Sequence, residues 1–290
     1  MKKVLFATTA LIATAGMAAA DINLSGYGRF GALYNDATDD TNFISRLRIQ
    51  IDVSAETQSG IKFGARQRIQ TEENGMGAGN GARFYLTTGG LTVAAGNILG
   101  AIEAMPNLYM GTKSAGMGLE GNGFTSLVTN TYGAGFWTWD AYSSGGTGVV
   151  NGVEVIYSAN GFTAHLSSSD SSDALALAYT FGDYTAAIAV QDSSTIGDKT
   201  VVTFGGNIGA ADFQIGYADN EGVDKWSISG GANVGAATYL YGMVSSEDGA
   251  GETYGLGVSH DLGGASIEAG LTQNDITDVT LLSAGFFFAF

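Results

Sequence analysis

Residues 46–56 alternate without a break: Leu47, Ile49, Ile51, Val53 and Ala55 fall on one side of an extended chain, and Arg46, Arg48, Gln50, Asp52, Ser54 and Glu56 on the other. A period of two fixes a β-strand, and its two faces suit different solvents. The neighbouring segments repeat the pattern. Ile22, Leu24, Phe30 and Tyr34 oppose Asn23, Ser25, Tyr27 and Arg29, while Ile61, Phe63, Ala65 and Ile69 oppose Lys62, Gly64, Arg66, Arg68 and Gln70. The chain is 45% hydrophobic, yet beyond residue 20 it has no run of 18 apolar residues, so no membrane-spanning helix is encoded there. Strands that are greasy on one side can still cross a bilayer if they close into a barrel, because closure pairs every backbone N–H and C=O without water.

The first twenty residues have a different character. Lys2 and Lys3 precede an apolar run from Val4 to Met17, followed by Ala18, Ala19, Ala20 and then Asp21. This is the pattern of a cleaved secretory signal peptide over residues 1–20, leaving 21–290 as one barrel domain. The run is too short and too poor in flanking charge for a transmembrane helix. No Cys stands near the cleavage point, which excludes a lipoprotein anchor. Removal of two lysines leaves 12 − 2 = 10 basic residues against 28 acidic ones, a net charge of −18. A chain so acidic repels nucleic acid. With no cysteine and 45 glycines, it reads as an exported all-β protein with many tight turns and no disulfides.

Brief turns join the later strands at Ala159-Asn160-Gly161, Phe181-Gly182-Asp183, Gly209-Ala210-Ala211 and Leu262-Gly263-Gly264. The connections at the other end are expected to be longer and acidic, with Asp36, Asp39 and Asp40 in the first and Glu72 and Glu73 in the second. Five strands fit before residue 97 and eleven after residue 151, an even total of sixteen as for a bacterial barrel with both termini on one side. Over 290 − 20 = 270 residues that leaves roughly 17 per strand and connection, enough for tilted spans of about 9–11 residues. Between them, residues 98–150 lose the alternation and hold the only proline, Pro106, with Met105, Met110, Met117, Trp137 and Trp139. A connection of that length needs a role, and folding into the lumen gives its apolar residues a wall to pack on. Aromatic residues beside the short turns (Tyr157, Phe162, Phe181, Tyr184, Phe213 and Tyr239) are read as an outward interfacial girdle.

The charges are uneven. Arg29, Arg46, Arg48, Lys62, Arg66, Arg68 and Arg83, seven of the ten mature basic residues, lie in the first four strands and by parity project from the polar face. The plain alternative is a solvated face pairing locally with Asp52 and Glu56, but these strands are too greasy for a soluble surface. The candidate counter-charges are Glu103, Glu120 and Asp140 in the long loop. A cationic wall facing an anionic loop would set a transverse field across a narrow passage. Glu154 and Glu268 also point inward by parity, without an identifiable partner. The acidic connections, Asp36, Asp39 and Asp40 above all, offer hard oxygen ligands for weak calcium binding, although no EF-hand spacing occurs. His165 and His260 belong to no nucleophile or metal motif, so nothing marks an enzyme.

Particular residues resemble a known family. The start Asp21-Ile-Asn-Leu-Ser-Gly-Tyr-Gly-Arg29-Phe-Gly, Ser45-Arg46-Leu-Arg48-Ile, Lys62-Phe-Gly-Ala, Tyr254-Gly-Leu-Gly and the terminal Phe290 are similar to the general trimeric porins of the Rhodobacter type, over the whole of residues 21–290. The resemblance implies a homotrimer of sixteen-stranded transmembrane barrels in the bacterial outer membrane, among lipopolysaccharide. Each barrel would have its third loop folded inside and would pass ions and small hydrophilic solutes by diffusion. It also implies that Phe286, Phe288 and Phe290 are read by the outer-membrane assembly machinery, and that Arg29, Arg46, Arg48 and Arg66 line the constriction; Arg68 and Arg83 follow by parity alone. The long loop departs from the family in carrying only three acids and also Lys113. An under-neutralised arginine cluster would favour anions at the narrowest point, whereas the −18 charge would draw cations to the mouth. Two rival classes stay open, a non-conducting structural or adhesive barrel and a soluble exported β-protein, as does a substrate-specific channel in which Trp137 and Trp139 guide a sugar.

Overall fold

The structure is a computed structural model that describes residues 20–75, 77–109, 118–119, 127–129 and 151–290. The proposed signal segment falls almost wholly outside them. The chain forms β1 (Asp21–Asn35), β2 (Asp40–Glu56), β3 (Lys62–Glu72), β4 (Ala78–Gly79), β5 (Arg83–Thr88) and β6 (Leu91–Asn97). After the long connection come β7 (Asn151–Ala159), β8 (Phe162–Ser169), β9 (Asp173–Phe181), β10 (Tyr184–Asp192), β11 (Lys199–Ile208) and β12 (Ala211–Asn220). The last five are β13 (Val223–Asn233), β14 (Thr238–Glu247), β15 (Gly251–Asp261), β16 (Ser266–Asn274) and β17 (Val279–Ala289).

Every pairing is antiparallel between sequence neighbours, and β1 pairs with both β2 and β17, so the sheet has no free edge. Both β4 and β5 lie against β3 and form one broken stave, so 17 segments make a closed barrel of 17 − 1 = 16 strands. At the break Asn80 replaces the missing ladder: its N–H donates to the Arg68 carbonyl at 3.0 Å, and its Oδ1 accepts the Arg68 N–H at 2.6 Å. The end of the chain seals the seam, with Phe290 and Gly26 exchanging both backbone hydrogen bonds at 2.9 and 3.0 Å. A break there would leave two rows of unpaired groups facing lipid, at several kcal/mol each.

Parity sorts the side chains as the alternation predicts. Leu177, Ile188, Val202, Ile215 and Ile228 are exposed on the outer face, whereas Ser167, Thr203, Ser245, Thr272 and Ser283 are buried on the inner one. Phe181, Tyr184, Phe204 and Phe213 form a chain of ring contacts with centroids 5.5–6.4 Å apart beside the short turns, one sector of the expected girdle. Tyr239 does not belong to it. It points into the lumen, stacks on Tyr241 at 5.6 Å and donates to Asp212 Oδ2 at 2.6 Å. It lies on the same side of its strand as Ser245 and Glu247, a parity its neighbourhood to a turn does not reveal.

The acidic connections also differ from expectation, because most are as short as those opposite. Residues 221–222 form a two-residue link with φ of 56° at Glu221 and 80° at Gly222, the left-handed pair of a tight hairpin, as at Asn160 and Gly161. The strands simply run on, so that Asp40, Asp192, Asp219, Asp224 and Glu252 are strand residues at the rim. Among the described residues no helix is long and apolar enough to cross a membrane; the strands do the crossing. The outer face predicts a sharp asymmetry: Leu177→Arg should cost about 2–4 kcal/mol of unfolding free energy in a lipid bilayer, measured by urea titration in vesicles, whereas Thr180→Arg on the lumen side of the same strand should cost far less.

Candidate functional site

The inner wall has two chemically distinct sectors. Across β9 to β12 it is built from Ala174, Ala176, Ala187, Ala189, Val201 and Ala218, all buried. Small side chains there leave room for the long connection, whose Ala101, Ile102, Met105, Leu108, Leu127 and Val128 form one apolar cluster with them. Each larger loop side chain buried in this way contributes about 1.5–3 kcal/mol. The described residues of the loop therefore lie inside the lumen, as their apolar content predicts. Polar contacts fix its path: Ala101 N–H donates to Ser167 Oγ (3.0 Å), Asn107 Nδ2 to the Thr185 carbonyl (3.0 Å), and Thr203 Oγ1 to the Pro106 carbonyl (2.7 Å). Lys225 Nζ donates to the Thr129 carbonyl and pairs with Glu247 at 2.9 Å.

Two leucines plug glycine-lined hollows. Gly31 and Gly285 stand directly opposite each other across the β1/β17 seam, and a Cβ on either would collide with Leu119 Cδ2. At Gly216 a Cβ would strike Leu127. Leu119 is also tied by its backbone, since its N–H donates to Ser283 Oγ at 3.0 Å and its carbonyl accepts from Arg29 Nη1 at 2.5 Å. The Gly118 N–H meets the Tyr241 hydroxyl at 3.2 Å. The described loop residues thus dock on the wall from β7 through β17 to β1.

The second sector is the cationic one. Arg46 is held by Glu72 through Nε at 2.7 Å and Nη2 at 2.5 Å, and Arg66 Nε by Asp52 at 2.7 Å. Arg48 Nε donates to Gln70 Oε1 (2.8 Å) with its guanidinium over the Tyr27 ring, and Arg68 Nε donates to Gln50 Oε1 (2.8 Å). These four sit together on β2 and β3, partly open to the lumen, with Asp52 and Glu72 as ion-pair partners among the described residues. Lys62 lies at the exposed start of β3.

Arg29 and Arg83 are on the inner face but buried, and differ from the other four in use. Arg29 secures Leu119, and Arg83 is spent on Glu154, with Nε at 2.6 Å and Nη2 at 2.5 Å. Glu154, which had no partner by sequence, is the hub of a buried node. Its Oε2 accepts the Leu99 and Gly100 N–H groups at 3.0 and 3.2 Å and meets His165 Nε2 at 2.9 Å. That node fixes where the loop leaves β6. Glu268 accepts from Ser259 Oγ (2.7 Å) and Ser266 Oγ (2.5 Å). His260 faces outward, its Nδ1 2.8 Å from Thr238 Oγ1.

Of the loop acids, Glu103 is half-buried and accepts from Tyr109 OH, while Glu120 and Asp140, with Trp137 and Trp139, lie outside the described residues. Among the described residues, Asp36, Asp39 and Asp40 of the calcium expectation included, no three acidic, imidazole or thiol groups converge on a common point. Asp36 Oδ1 instead accepts the Thr280 N–H at 2.7 Å, sewing the first connection to β17, and that backbone bond holds its carboxyl below the usual range. Asp39 accepts from Tyr34 OH at 3.0 Å.

A barrel of this size, with an inner loop docked on its wall and arginines lining the inner face of β2 and β3, has the form of an aqueous tube narrowed from within. Residues 7–278 match the family model described as Gram-negative porin. The chain belongs to the Gram-negative porin family. It is 29% identical to the porin of Fuscovulum blasticum over 93% of this chain and 100% of that protein, and 27% identical to the porin of Rhodobacter capsulatus over 91% and 97%. Engineered variants of the Rh. blastica porin superpose with TM-scores of 0.79 and 0.78 at 27% identity, covering 93% of this chain and 100% of theirs. A Gram-negative porin is an outer-membrane channel for passive diffusion rather than an enzyme, and the exposed apolar outer face removes the soluble β-protein from consideration. The leucine plugs carry a prediction: Leu119→Ala should weaken loop docking by about 2–5 kcal/mol, seen as raised single-channel conductance and faster proteolysis in the loop, while the barrel keeps its resistance to heat in detergent.

Proposed function

We propose that the passage of this porin runs between the arginines of β2 and β3 and the inner loop, and that this narrow section governs its selectivity. One observation carries the reading: the described loop residues dock at points on the wall from β7 through β17 to β1, away from the stretch that bears Arg46, Arg48, Arg66 and Arg68. At the level of the loop, water and solutes are left the arginine side. The side chains of Arg46, Arg48, Arg66, Arg68, Asp52 and Glu72 sum to a formal charge of 4 − 2 = +2, and low-dielectric walls focus the field of such a cluster. Lys62 extends the cationic line towards the short-turn end. Glu103, Glu120 and Asp140 on the loop would face it and temper the field.

The same reading takes the assembly as a homotrimer in the outer membrane, after cleavage behind Ala20. Family resemblance supports the trimer, and the signal-peptide pattern supports the cleavage. Phe286, Phe288 and Phe290 form an outward row on the last strand, with Phe288 and Phe290 against Gly28 and Gly26, an accessible feature for the assembly machinery to recognise. Lipopolysaccharide would meet the acidic rim, where Asp173 and Asp192 stand opposite each other on the outer face.

The test is reconstitution into a planar bilayer. Ohmic steps in groups of three are expected, and Arg48→Glu with Arg68→Glu should change the local charge from +2 to −2 and move the reversal potential in a salt gradient several-fold towards cations. An unchanged reversal potential would place selectivity elsewhere, and absence of steps from folded protein would favour the non-conducting barrel.

A further inference from the structure

On the lumen side of β11 to β15, beside the short turns, lies a cleft of about 580 Å³. Its size is that of small-molecule sites, which run to about 300–1,000 Å³. Its lining is neither apolar nor cationic. Asn207, Gln214 and Asn233 present side-chain amides, Asp212 and Asp261 present carboxylates, and Tyr239 presents a ring and a hydroxyl; among the described residues no Lys or Arg lines it.

The three amides are the informative groups. Among the described residues no side-chain hydrogen bond engages them, so each still offers two N–H donors and a carbonyl acceptor to the lumen. Around them the frame is fixed. Tyr239 is stacked on Tyr241 and bonded to Asp212, Asp261 accepts the Gly263 N–H at 2.8 Å, and Asn107 brings the loop to the edge of the cleft through its bond to Thr185. Amides that donate and accept at once, carboxylates that accept from paired hydroxyls, and an aromatic face for C–H surfaces are the complement of a sugar ring. An anion would meet two carboxylates and, among the described residues, no cation. A simple cation would have no use for three amides.

The geometry points to a binding site in this cleft for neutral polyhydroxylated solutes, so that saccharides are retained briefly on their way through. The inference rests on the channel reading above and adds a preferred solute class to it. Retention of this kind raises the occupancy of a solute inside the tube without closing it to others.

The test uses reconstituted channels with maltotriose as the probe and polyethylene glycol of matching size as the control for simple exclusion. Step conductance before any addition establishes the channel by itself, so loss of the site and loss of the channel read differently. Maltotriose should interrupt the current with saturating dependence, half-maximal on the order of 10 mM, while the polymer acts linearly. Asn207→Ala with Gln214→Ala, and separately Tyr239→Ala, should raise the half-saturating concentration at least about tenfold; steps in each variant show that it folded. Identical, non-saturating effects of maltotriose and polymer would overturn the inference. So would saturable block by glucosamine cation with none by maltotriose, which would make the cleft a cation site.

Discussion

Everything in this molecule depends on the pairing of its backbone in a medium without water. No strand could stay in a bilayer with one row of N–H and C=O groups open, so the sheet must return to its own start, and β17 does so against β1. That demand explains the role of the last residue, whose backbone completes the ladder with Gly26, and of Asn80, whose side chain fills in where a stave breaks. It also explains the composition: outward residues need only be apolar, so the chemistry is confined to the inward positions.

The inward positions are divided by what the loop requires of them. Where it lies, the wall offers alanines, glycine hollows and single hydroxyls aimed at loop backbone groups. Away from the described loop residues, the wall carries arginines, each opposite a Glu, Gln or Asp across β2 and β3. Arg29 and Arg83 stand at the two borders and serve the loop instead of the lumen, one through the Leu119 carbonyl and the other through Glu154. Burying those two charges is tolerable because each meets specific partners, and stripping Arg83 of Glu154 would leave a buried charge at a cost of about 3–5 kcal/mol. The passage is therefore shaped by a loop whose position is over-determined at many separate points.

Much of this was legible in the chain. Unbroken alternation around Leu47 and Arg48 defines both faces, the tally of five strands before residue 97 and eleven after 151 matches the sixteen staves, and the lapse of alternation with Pro106 and Met105 marks the inner loop. Parity places all seven basic residues on the inner face, but it could not tell which are open. Burial of Arg29 and Arg83 follows from where the loop lands, a contact across more than seventy residues that no local pattern encodes. At Tyr239 closeness to a turn imitates a girdle position, whereas the parity of its strand is inward. Acids at strand ends read as loop, which makes the acidic connections look long in sequence. Ala174, Ala176, Ala187 and Ala189 share the inward parity, and small residues there mark the bed of the loop.

The central claim is that the loop covers the alanine wall of β9 to β12 and leaves the arginine wall of β2 and β3 wet. The chain has no cysteine, so single thiols report without background. The decisive measurement compares modification of Gln50→Cys and Ala189→Cys in open reconstituted channels by a water-soluble, charged thiol reagent. The account predicts rapid reaction and a fall in conductance at residue 50, and no reaction at residue 189 beneath the loop. Equal rates at the two positions would mean that the loop does not lie on the alanine wall, and the account would be wrong.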